Sequence, residues 1–232
     1  MLPGAGDKTF NINMSVRDDN LIPSLTGKRG IMKTLICLGT ATLGFVIGKF
    51  IKDYVKRSYT IASGKVPFYE LICAAAVYIN IYVSGFNLKL IELCIFSIFI
   101  ITIGFIDFYL KIIPDKIVCL FAVVGLIFAV LNNIDHPRGI FDNLIGAVSA
   151  SIILFTVSLF SNGSIGGGDI KFTATAGIFL GWKLSIVALA AALFFAGVVL
   201  TPLLIIKKVD KEDVVALGPF LAAGMYAASL LL

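Results

Sequence analysis

The sequence predicts an all-α, polytopic integral membrane protein of about eight transmembrane helices, and three observations carry that prediction. Hydrophobic residues make up 59% of the 232 positions and charged residues only 14%, a balance far outside that of soluble domains. The apolar residues are gathered into runs close to the roughly 20 residues that cross a bilayer. The Lys and Arg residues lie mostly in the short segments between those runs. A water-soluble globule is thereby excluded. A disordered chain is excluded as well, because it requires low hydrophobicity and high net charge. The formal net charge of +5 reads as control of membrane topology and not as a nucleic-acid footprint.

The runs fall at about residues 35–51, 66–86, 90–106, 117–133, 140–160, 170–181, 184–206 and 214–232. The sixth is too short to span unaided and follows Gly166-Gly167-Gly168, so a partial or tilted helix is expected there, bounding a cavity where irregular backbone can be satisfied. Loops after odd-numbered runs collect Lys49, Lys52, Lys56, Arg57, Lys65, Lys111, Lys116, Lys171, Lys207, Lys208 and Lys211. The opposite loops hold Lys89, Arg138 and Lys183. The bias of basic residues puts the first set in the cytoplasm and, with eight spans, both termini outside. Lys28, Arg29 and Lys33 run against this, and a seven-span chain would remove the conflict.

Residues 1–31 are polar and without periodicity, and read as a leader set apart from the fold; residues 32–232 read as a single membrane-embedded domain. Cys37, Cys73, Cys94 and Cys119 are widely spaced, with no C-x-x-C pair, and read as small buried hydrophobes. With His136 the only histidine, no His-rich metal site is available. A Ser-His-Asp triad would have to run through that one residue.

Charged groups inside spans cost roughly 2.5–3.5 kcal/mol each on insertion scales and default to functional roles. Asp107 closes the third run and Asp169 opens the sixth, both at the boundary assigned to the cytoplasm. Two carboxylates brought together near a low-dielectric boundary do not both ionise readily, which is the arrangement of aspartic proteases. One activates water, and the other polarises the carbonyl and protonates the leaving nitrogen. Helix ends suggest which is which: Asp107 ends a helix and is expected to hold the proton, whereas Asp169 begins one and is expected to be the ionised base. Glycines beside Asp169 would let a substrate backbone approach. Plainer readings stand beside these. Asp107 could simply end a helix among headgroups, and Asp169 or Asp115 could cap the helix that follows. Glu70 and Glu92 read as helix-end or interhelical hydrogen-bonding residues, Asp142 as a helix-start residue and His136 as solvated.

Three separated stretches resemble the type IV prepilin peptidases, the bacterial branch of the GxGD aspartyl membrane proteases. Ile106-Asp107-Phe108-Tyr109-Leu110-Lys111-Ile112-Ile113-Pro114-Asp115 is similar to the family's Asp segment. Gly166-Gly167-Gly168-Asp169-Ile170-Lys171, continuing through Ala176-Gly177 to Leu180-Gly181-Trp182, is similar to its GGGD-x-K segment. Leu217-Gly218-Pro219-Phe220-Leu221-Ala222-Ala223-Gly224 resembles the GPF-x-A-x-G signature of its last helix. The resemblance implies that Asp107 and Asp169 are the catalytic aspartates, with Asp115 an additional acidic position. It implies supporting or substrate-binding roles for Gly166, Gly167, Gly168, Lys171 and Glu70, the last within Val66-Pro67-Phe68-Tyr69-Glu70-Leu71.

The chain departs from the family in two places. Lys49 replaces the Ser of its first-helix segment, and Lys52 falls near the Asn of that segment. The paired C-x-x-C motifs that longer members carry between the first two helices are absent from residues 52–65. The resemblance therefore implies leader cleavage without a metal or cofactor, and leaves S-adenosylmethionine-dependent methylation doubtful. The implied partners are prepilin or pseudopilin substrates and membrane lipid, not nucleic acid, with Asp115, Glu212 or Asp213 available to meet a basic leader. A proton-coupled transporter would place its carboxylates near mid-bilayer. A non-catalytic assembly subunit would need no carboxylate pair.

Overall fold

The computed structural model describes residues 44–53, 68–85, 87–134, 138–160, 165–206 and 215–232, with isolated positions besides between 39 and 58. Every regular element among them is a helix: α1 over residues 44–53, then α2 Tyr69–Ser84, α3 Leu88–Leu110, α4 Asp115–Asn132, α5 Arg138–Phe160, α6 Gly167–Ile205 and α7 Gly218–Ser229. The leader 1–31, Cys37, His136, Glu212 and Asp213 lie outside the described residues.

Among the described residues four helices are long and apolar enough to cross a membrane: α3, α4, α5 and α6 from Gly167 to Pro202. The protein is thus an all-α, polytopic membrane protein, but the expected count of eight spans is not reproduced. The 16 residues of α2 extend about 24 Å and the 12 of α7 about 18 Å. Both fall short of a hydrocarbon core of about 30 Å.

The sixth and seventh apolar runs are joined in α6. Its 39 residues would reach about 58 Å if straight, but Gly181 breaks the helix with φ 69° and ψ 174°. That dihedral pair lies in the region glycine alone enters without strain. The part before it, Gly167 to Leu180, is about 21 Å long, in keeping with the partial helix expected of the sixth run. The break lies where α5 crosses: Gly146 abuts the backbone of Gly177 and Gly181 so closely that no Cβ fits on Gly146 or on Gly177. Small residues let two helix backbones meet in this way where lipid provides no hydrophobic drive between them.

Around α6 pack α5, α7 and α4, and α7 leads on to α3 and α3 to α2. The core between α3, α4 and α6 is aromatic. Phe121 stacks on Phe179 with ring centroids 4.9 Å apart, Phe96 meets Phe121 at 5.8 Å, and Phe172 closes the group at 6.4 Å from Phe121. Polar side chains tie the remaining helices. Tyr69 of α2 and Thr102 of α3 share a buried hydrogen bond of 2.7 Å. Asn132 of α4 donates to Glu92 of α3 at 2.8 Å, so Glu92 is interhelical as its sequence context suggests.

Several residues sit differently from the sequence expectation. The third helix continues past Asp107 to Leu110, with Lys111 at φ 54° as its left-handed C-cap, so Asp107 lies in the last turn and not at the end. Asp115 is the first residue of α4, whose N-cap is Pro114 with no side-chain cap. Asp142 lies beyond the first turn of α5, which begins at Arg138. Of the cysteines, Cys73 is buried but Cys94 is half-buried and Cys119 exposed. Cys119 occupies the outward face of α4, where an apolar side chain is solvated by lipid and burial inside the protein is not required.

Candidate active site

The last turn of α3, the first turn of α6 and the first residue of α7 meet at one end of the helix bundle. Asp107 is 6% exposed, and its Oδ2 accepts the backbone N–H of Gly218 at 2.8 Å. The geometry follows from the start of α7. Helix N-termini carry N–H groups with no intrahelical acceptor, and such groups bind anions. Pro219, the second residue of α7, has no N–H, so the donor offered at the mouth of this helix is that of Gly218. The two backbones approach so closely that a Cβ on Gly218 would lie 2.6 Å from Asp107 Oδ2 and 2.7 Å from its Cβ. Gly104, one turn before Asp107, is packed likewise, its Cβ position 3.0 Å from Ala222 Cβ and 3.4 Å from Pro219 Cα.

Asp169 is the third residue of α6, its N–H bonded to the Gly166 carbonyl at 3.1 Å. It is therefore inside the first turn and is not the cap. The two carboxyl groups are near enough to interact electrostatically. Asp169 Oδ1 is buried and has no hydrogen-bond partner among the described residues. This bears directly on the proton roles inferred from helix ends. Each carboxyl thus has a backbone donor, Gly218 for Asp107 and Gly166 for Asp169, but Asp169 also keeps a buried oxygen with no partner. The dipole argument took no account of the helix arriving from 111 residues away, which brings Asp107 a donor at the end of its own helix.

The glycines have separate surroundings. Gly168 packs against Ile113 in the α3–α4 connection, its Cβ position 3.0 Å from Ile113 Cβ, whereas nothing stands within 4 Å of that of Gly167. Gly166 and Gly167 are exposed, leaving open backbone beside Asp169. The other candidate residues form different pairs. Lys171 Nζ meets Asp115 Oδ1 at 2.8 Å, with both side chains more than half exposed, on the α4–α6 face. Glu70 receives Lys52 Nζ at 2.6 Å in a largely buried ion pair between α1 and α2. The Lys at position 52 thus neutralises a largely buried carboxylate.

Gly218 is the site residue that sequence reasoning missed. Its stretch is conspicuous in the sequence, but a glycine has no side chain to suggest chemistry. The available signal was Gly-Pro opening a helix, which leaves a free N–H at the helix mouth. Among the described residues no group of three or more His, Cys, Asp or Glu is placed to hold a metal ion.

Residues 94–201 match the model of the type IV leader peptidase family. A prepilin leader peptidase/N-methyltransferase of Bacillus subtilis (strain 168) is 28% identical over 151 residues, covering 63% of this chain and 58% of that protein. A protein of the same description from Escherichia coli (strain K12) is 30% identical over 139 residues, covering 57% of this chain and 59% of that protein. The chain thus spans less than two thirds of the length of these relatives. No solved structure gives a significant match.

Proposed function

Because residues 94–201 match the model of the type IV leader peptidase family, we propose that the chain is a member of that family, an intramembrane aspartic endopeptidase that removes a short basic leader from prepilin-like proteins. The observation that carries this reading is the meeting of Asp107 and Asp169 at the bundle end where Gly218 approaches. Two carboxyl groups within electrostatic reach, one with a fixed donor and one with an orphan oxygen, are suited to divide the base and acid roles.

In this mechanism Asp107, its Oδ2 fixed by Gly218, acts as base. It takes a proton from water while the water oxygen bonds to the carbonyl carbon of the scissile amide. Asp169, holding a proton, donates a hydrogen bond to the carbonyl oxygen as negative charge builds there. The proton gathered by Asp107 passes to the amide nitrogen as the C–N bond breaks, giving the leader's carboxyl terminus and the mature chain's amino terminus. The open backbone at Gly166 and Gly167 receives the extended substrate segment. The cytoplasmic side is supported by the basic residues in the loops flanking this end. S-adenosylmethionine-dependent methylation is not included in the proposal.

The test is a cleavage assay in membranes with prepilin-type substrates, comparing the wild type with Asp107→Asn and Asp169→Asn. Each variant is expected to insert normally and to lose about a thousandfold or more in rate. Near-normal cleavage by either variant would refute the dyad.

A further inference from the structure

The helices that hold Asp107 and Gly218 also form, with α2, an apolar groove lined at one end by their neighbours Phe108 and Pro219. The groove encloses about 540 Å³ between α2, α3 and α7. Its floor is α3 from Ile101 to Tyr109, and its walls are α2 from Ile72 to Ile79 and α7 from Pro219 to Tyr226. Each stretch is about two helical turns, or roughly 10 Å. The three run in register: α2 and α7 start at the carboxylate end and run away from it, and α3 arrives there. Thus Phe108 and Pro219, neighbours of Asp107 and Gly218, mark one end. At the far end Tyr226 Oη donates to the Ala76 carbonyl at 3.0 Å and bridges the two walls.

The groove has a shape that lipid-facing helices do not need. Its floor and walls are lowered by Gly104, Ala75 and Ala223, of which Ala75 and Ala223 are exposed. Small side chains let another helix backbone come close, the usual basis of helix association in lipid. No formal charge lines it. An occupant that fits is therefore apolar and about two turns long, with one end beside Asp107.

We infer that this groove seats the first two turns of the substrate's apolar helix, the segment immediately following the scissile bond. The inference rests on the peptidase reading. It adds that recognition comes from the membrane helix of the mature chain as well as from the leader. The groove ends at Phe108 and Pro219, the chain neighbours of the hydrogen-bonded Asp107 and Gly218, so a helix lying in it would bring the peptide bond at its end beside the carboxylates. The remainder of the substrate helix extends past the Tyr226–Ala76 bridge into the bilayer.

Two measurements test this with the full chain in membranes. Ala75→Leu and Ala223→Leu fill the groove from opposite walls without touching the carboxylates. Each is expected to lower kcat/KM for a full-length, membrane-embedded prepilin about tenfold or more, while a soluble peptide spanning the scissile bond but lacking the helix is cleaved at the wild-type rate. Equal loss on both substrates, or loss on neither, overturns the groove. In the second measurement, p-benzoylphenylalanine in place of Ala223 is photolysed in membranes containing full-length prepilin. Adducts to the first two turns of the substrate helix support the inference; adducts to lipid alone or to a second copy of this chain overturn it. The photolysis reads binding whether or not cleavage occurs. A wild type that cleaves neither substrate overturns the peptidase reading, and the adduct still decides the groove.

Discussion

Gly218 donates its backbone N–H to Oδ2 of Asp107 across 2.8 Å, and the same glycine has no room for a methyl group because that carboxylate occupies the space. One residue thus fixes both the orientation and the hydrogen bonding of a buried acid. Gly218→Ala would place a Cβ 2.6 Å from the oxygen it now holds, so the carboxylate must turn away. Loss of one preorganised donor in an active site costs about 100- to 1,000-fold in kcat, and a loss of that size is expected here with KM for prepilin little changed. Gly197→Ala is the control, since nothing lies within 4 Å of its Cβ position. Equal activity of the two variants would argue against the positioning role.

The break in α6 gives a stability prediction. At φ 69° an alanine at position 181 is in the left-handed region, a strain of about 1–3 kcal/mol. Gly181→Ala is expected to lower the thermal midpoint in detergent by several degrees, with the far-UV helical signal retained below the transition. An unchanged midpoint would show that the backbone relaxes at no cost.

Lys52 and Glu70 pair at 2.6 Å with side chains 18% and 15% exposed. Removing the cation from a carboxylate so placed costs about 3–5 kcal/mol in buried cases. Lys52→Met should therefore destabilise the α1–α2 contact more than the double change Lys52→Met/Glu70→Gln does. Denaturation of the three variants and the wild type provides the thermodynamic cycle, and additive effects would mean the pair is not coupled.

Topology follows from the basic loops. Reporters fused near residues 60 and 210 should be cytoplasmic and one near residue 136 external. A cytoplasmic signal at 136 would place the carboxylates on the opposite side of the membrane.

The mature product should carry a free N-terminal amine when this chain acts alone. The motive is internal: Lys49 and Lys52 stand in the first-helix segment, and no C-x-x-C pair lies between it and α2. Mass spectrometry of the cleaved pilin checks it, and an added methyl group that depends on this chain would overturn the expectation.

Composition and run length were enough to determine the membrane class and the helical state. In lipid an unpaired backbone is too costly for most other structures, so apolar runs near 20 residues leave little choice. Asp107 and Asp169 were legible for the same reason, as charges where charge is expensive. Glu92, another such charge, was legible as an interhelical partner. Helix ends were less legible: nothing in an apolar run tells that α3 continues to Leu110, or that Gly181 breaks a helix without ending it. What only the tertiary structure decided depends on which helix ends converge. Gly218 reaches Asp107 across 111 residues by a backbone group that every residue but proline possesses, so Gly-Pro could signal a free donor but not the partner it meets. Lys171 found Asp115 and Lys52 found Glu70 for a similar reason. Side-chain charge specifies what a group needs, but packing of the helices decides which partner is within reach.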